Sequence, residues 1–192
     1  MKRFLIVLVF VGVAGSYDHS MAGIIVNEAM SDGRQKPTGV TWIEFYNDSD
    51  SIAVLTEMSI VSGGIETRLS EIIVQSHRYL IICNKAIGTG SFESRWGDSS
   101  GVWGDRIFES LFTLVELPIA PMSEVDSVVL YNDIEDTKLS MIYWATTSSS
   151  ARSWERAASS GDSAIQCLFG AGGTPGEINS SFPLDYDLSI ES

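Results

Sequence analysis

Residues that could carry chemistry are few and far apart in this chain. The supply is two histidines (His19, His77), two cysteines (Cys83, Cys167) and 25 acidic side chains. Nucleophilic catalysis needs a base beside a hydroxyl or thiol, and the sequence holds no G-x-S-x-G elbow, H-E-x-x-H pair or G-x-x-x-x-G-K-[ST] loop. His77 stands just before an apolar run and reads as a solvated turn residue. Glycoside hydrolysis needs two carboxyl groups that lie far apart along a chain and leave no local signature. Three turns collect oxygen atoms: NDSDS at 47–51, GDSSGVWGD at 97–105 and NDIED at 132–136. None has the D-x-[DN]-x-[DN]-G spacing with a distal Glu, and polar turns on an acidic chain make such clusters by default. The sequence therefore assigns no catalytic residue, no metal ligand and no cofactor.

The aromatic residues of 87–122 offer binding chemistry instead. Trp96 and Trp103 sit among Gly, Ser and Asp, outside any apolar alternation. Exposed on a loop, such indoles stack on sugar rings or anchor a protein partner. Packed inward, they are a satellite core at the end of the fold. Geometry separates the readings, because a glycan site requires both indoles on one concave surface.

Charge and compartment narrow the function classes. Lys2 and Arg3 precede FLIVLVFVGVAG, 12 apolar residues, and the small-x-small SMA ends at Ala22. This is the pattern of a secretory signal peptide over residues 1–22. The run is short of the roughly 20 apolar residues that span a bilayer. Cleavage after Gly15 also fits, but cleavage after Ala22 places GIIVNEAM at the mature N-terminus. Without residues 1–22 the chain has 10 basic and 24 acidic side chains, a net charge of −14. That field repels nucleic acid and anionic membranes, so the expected setting is extracellular, periplasmic or cell-surface, with no membrane contact after cleavage. In an oxidising compartment Cys83 and Cys167 are permitted to pair, though spacing alone does not decide it.

The elements that must position these residues are strands. GIIVNEAM, TWIEFYN, RYLIICN, DSVVLYND and KLSMIYWA are rich in β-branched and aromatic residues and end in turn formers. LTEMSIVSGG and TRLSEIIVQS predict two more, turned at Gly63-Gly64. Alternation sends Ile43 and Phe45 to the core and leaves Trp42, Glu44 and Tyr46 on the other face; Val128 and Leu130 also point inward. In SFESRWGD, Phe92 and Trp96 are four apart, and Ser91 caps a single helical turn. Short strands with almost no helix predict an all-β sandwich or barrel.

Taken in order, the motifs resemble the lamin tail domain family in its bacterial secreted form, over residues 23–179. GIIVNEAM resembles its opening IVINEIM-like strand, TWIEFYN its WIELYN strand and DSVVLYND its GDTVVLYD strand. TEMSIVSGG stands in place of an LSGWTLSDG-like segment, with Met58 where Trp is usual. RYLIICN and SFESRWGD resemble the next strand and the short helical insert, with His77-Arg78 where Gly-Gly is common. SWER and GTPGEIN resemble the closing pair of signatures. The resemblance implies an immunoglobulin-like β-sandwich without known catalytic activity, used for interaction or anchoring.

The closing segment then reads as a clamp. Trp154 is large enough to cover an open sandwich end, and Arg156 has the fork geometry to hold a carboxylate. Glu44 is the expected partner, with Glu28 second. Residues 180–192 read as a linker and the opening strand of a truncated following domain. The expected function is a non-catalytic secreted interaction or anchoring module, facing a protein or cell-surface glycan. The alternative is a carbohydrate-binding or hydrolytic module using 87–122. Oligomeric state is not set by the sequence.

Overall fold

A computed structural model describes residues 23–31, 39–120, 122, 126–144, 152–157, 161–168 and 173–180. The expected signal peptide and residues 181–192 lie outside this set. Twelve strands are present among the described residues. They are β1 (Ile24–Ser31), β2 (Thr41–Asn47), β3 (Ala53–Leu55), β4 (Met58–Ser62), β5 (Ile65–Arg68) and β6 (Ile72–Val74). β7 (Tyr79–Cys83) precedes the helical turn α1 (Phe92–Trp96). β8 (Phe112–Glu116), β9 (Asp126–Asn132), β10 (Thr137–Trp144), β11 (Trp154–Arg156) and β12 (Ala164–Gln166) follow.

Two sheets form the sandwich. One has six strands in the order β12-β11-β1-β2-β7-β8; the other has four in the order β10-β9-β4-β5. β3 and β6 pair separately. The core between the sheets takes Val26, Ile43, Phe45, Leu80 and Ile82 from the first and Met58, Ile60, Val128, Leu130 and Ile142 from the second. The inward alternation expected for β2 and β9 is what the structure shows. The protein is an all-β sandwich.

Two expected strands each divide in two. Glu57 takes φ 53, a left-handed conformation that ends β3 before β4 begins. Gly63 and Gly64, at φ 55 and 73, supply the two positive φ values of a tight β4–β5 hairpin turn. β8 had no sequence signal. It lies at the sheet edge, parallel to β7, with every residue part-exposed or exposed, so no alternation marks it.

β1 carries a bulge at Asn27, between the paired residues Val26 and Glu28. Its effect is a change of parity. Ile24, Val26 and Ala29 face the sandwich core, whereas Met30 joins the packing on the outer face. Without the extra residue, Glu28 would share the face of Val26 and point among the apolar side chains.

Candidate functional site

The outer face of the six-stranded sheet holds the unusual chemistry. β1 pairs Glu28 with Glu44 of β2 on one side and with Glu155 of β11 on the other. Three glutamates thus stand in a row across three strands, all fully buried. The closing segment roofs them. Thr174 donates its backbone N–H to Glu28 Oε1 at 3.0 Å, and Gly176 donates its own to Glu44 Oε2. Asn27 Nδ2 donates to Glu44 Oε1 at 2.7 Å, and Ser180 Oγ donates to Glu155 Oε2 at 2.6 Å. Thr174 Oγ1 is 3.1 Å from both Glu28 Oε2 and Glu155 Oε1. One hydroxyl has one proton, so the second contact is a hydrogen bond only if a carboxyl is protonated. Electrostatics agree. Burial, helped by the charge of Glu155, pushes Glu28 up to about 7, and burial together with Glu28 raises Glu44 well above the usual carboxylate range.

Close approach requires glycine in this roof. A Cβ at Gly173 would lie 2.4 Å from Glu28 Oε1, and one at Gly176 2.4 Å from the Phe112 ring; both residues have positive φ. The sequence assigns Ser180 to a linker, but its bond to Glu155 makes it part of the fold.

The residues expected to form a clamp, Trp154, Arg156 and Glu44, are arranged differently. Trp154 is buried between the sheets, stacked on Trp144, rather than laid over an open end, because SWER is itself a strand beside β1. Arg156 does not pair with Glu44. Its Nε donates to Val26 O at 2.8 Å, Nη1 to Gly161 O at 2.9 Å, and Nη2 to Met141 O at 2.7 Å and Ser140 Oγ at 2.9 Å. Ser140 Oγ also accepts from Val26 N at 2.9 Å. Beside the bulge, Arg156 and Ser140 together bond the N–H and the carbonyl of Val26, tying β1 to β10. An ion-pair partner among the described residues is the part-exposed Asp162, with Nη1 3.9 Å from Oδ1.

The remainder of the outer face lies under the 87–111 insert. Ser91 caps α1 as expected, its Oγ accepting from Ser94 N at 3.1 Å. Trp42 meets Phe92 and Trp96 edge-on, and Trp96 stacks on Phe92 with centroids 4.6 Å apart. Trp103 packs against Phe92 at 5.5 Å and Phe112 at 5.0 Å. Both candidate indoles are half-buried, packed against this second core. Outside it, Val102, Ile107, Phe108 and Leu111 are exposed, Ile107 at 87%. Beneath them Glu93, Asp98 and Glu109 converge, with one oxygen from each within 4.8 Å of the others.

Cys83 and Cys167 are both buried and are not joined to each other, and burial pushes the Cys83 thiol up to about 12. Cys167 Sγ lies within 4.8 Å of an oxygen of Glu28 and one of Glu155. His77 is exposed at a turn, 2.9 Å from Asp50 Oδ1 and 3.4 Å from the Tyr46 hydroxyl. Glu155, Thr174, Glu93 and Glu109 escaped sequence reasoning. The alternation of SWER, with Trp154 inward, was the available signal for Glu155. Among the described residues no helix is long and apolar enough to cross a membrane. Compared with known proteins, the chain matches no family model and no curated sequence.

Proposed function

We propose that this chain is a non-catalytic, secreted interaction module, a lamin-tail-like sandwich of immunoglobulin type, whose contact surface is the tip of the 87–122 segment. The observation that carries the reading is the exposure of Val102, Ile107, Phe108 and Leu111 within ten residues of a strongly acidic chain. Clustered apolar side chains at a surface gain stability only when a partner covers them. Two further features support the reading. The glutamates with raised pKa are fully buried under Thr174 and Gly176, out of a substrate's reach. An aliphatic tip also suits a protein recess better than a sugar ring, since the indoles that would stack on sugar pack inward.

Site-specific photo-crosslinking tests the proposal. A crosslinker at Ile107 is compared with one at Ile134, which is also an exposed isoleucine but lies in the β9–β10 turn. On cells of the source organism, the Ile107 probe should give a discrete protein adduct that Phe108→Ser removes. Equal adducts from both positions, or an adduct digested by glycosidases and not by proteases, would overturn it.

A further inference from the structure

We propose that Glu93, Asp98 and Glu109 form a binding site for a divalent cation of the calcium type. The inference is independent of the partner reading, since the site lies inside the insert whatever its tip touches. The three acids come from α1, the following loop and the 3-10 turn at Glu109–Leu111. One oxygen from each lies within 4.8 Å of the other two. Ligands on opposite sides of a calcium ion, with bonds of about 2.3–2.6 Å, are about 4.6–5.2 Å apart, so all three fit one coordination shell.

Two of the acids are held in place by the surrounding loop. Glu109 Oε2 accepts from Gly104 N at 2.9 Å and its Oε1 from Asp98 N at 3.3 Å. Asp98 Oδ1 accepts from Ser100 N at 2.9 Å, and Oδ2 from Arg106 Nε on the solvent side. Gly97 keeps the centre open, since a Cβ there would lie 2.6 Å from Glu109 Oε1.

Glu93 is different. It is 1% exposed, and its Oε1 has no hydrogen-bond partner among the described residues. A buried carboxylate with an oxygen that lacks a donor, on a side chain that meets two more carboxylates, is an arrangement folded proteins avoid. A shared proton relieves one contact only, whereas a cation attracts all three oxygens at once. The donor set is oxygen alone, without His or Cys, which selects a hard ion. An irregular loop with glycines suits the flexible shell of calcium better than the strict octahedron of magnesium. Arg106 offsets part of the negative charge, which places affinity among the weak extracellular sites, with Kd on the order of 10⁻⁴–10⁻³ M.

Calorimetric titration of the purified chain with calcium chloride tests this, alongside terbium luminescence excited through the indoles. One ion should bind, with Kd in that range and a rise in Tm. Glu93→Gln and Asp98→Asn should each weaken binding at least tenfold, while Asp50→Asn, at the exposed His77 turn, leaves it unchanged. Should Glu93→Gln fail to fold, Asp98→Asn decides alone, because Asp98 lies nearer solvent. Absence of saturable binding up to about 10 mM calcium would overturn the site. So would wild-type affinity in both variants, or a Tm that ignores calcium.

Discussion

Trp154 lies parallel to Trp144, ring centroids 5.8 Å apart and planes 5° apart. The two indoles belong to opposite sheets, so this stack joins the short strand β11 to β10 across the core. Trp154→Ala removes that joint and leaves a cavity. It should cost about 3–5 kcal/mol, read as a lower denaturant midpoint. An unchanged midpoint means the stack does not hold the sheets together.

Arg156 should couple to Ser140, not to Glu44. In a double-mutant cycle, Arg156→Ala and Ser140→Ala share the contacts around Val26 and should be non-additive by about 0.5–3 kcal/mol. Arg156→Lys should also destabilise, because one ammonium cannot reach acceptors on three backbone segments at once. Full stability in the lysine variant would reduce Arg156 to a simple charge.

Acid should stabilise this domain. The folded pKa of Glu28, about 7, lies above the ordinary 4.5. A raised carboxyl contributes stability that is fully present below pH 4.5 and lost as pH rises through 7. The loss is on the order of 3 kcal/mol across that window, and Glu44 acts in the same direction. Thermal melts at pH 5 and pH 8 check the sign, and Glu28→Gln should flatten the dependence. Greater stability at pH 8 would mean the carboxyls are ionised in the folded state.

Much of the frame was legible because β2, β7, β9 and β10 bury alternate or continuous apolar residues, which is a local property of sequence. The helical turn was legible for the same reason, through Ser91 and the spacing of Phe92 and Trp96. The outer face was not. Glu44 could be placed opposite Phe45, but its cover comes from residues more than 130 positions away, and no local pattern encodes that. Pairing Arg156 with a carboxylate followed from charge alone. The fold instead brings three backbone carbonyls, of Val26, Gly161 and Met141, within reach of the guanidinium.

The chain boundary can be tested by truncation. Ending after Ser181 keeps Ser180 on Glu155 and should leave Tm unchanged, whereas ending after Cys167 strips the roof from three buried acids and should prevent stable folding. A stable, cooperative domain ending at Cys167 would show that the glutamates need no roof.

That roof also sets an order of events. Thr174 follows Glu28 by 146 residues and Asn179 follows Asn27 by 152, so the first strand meets these partners only after the rest of the sandwich has been synthesised. Until then β1 and β2 offer adjacent carboxylates with no donors above them, and water is the better host for both. A nascent chain should therefore stay open until that segment has emerged. Ribosome-arrested chains ending before Thr174 should be protease-sensitive throughout, and those with residues 173–180 clear of the exit tunnel should not. In this fold the last few residues act as a completion signal.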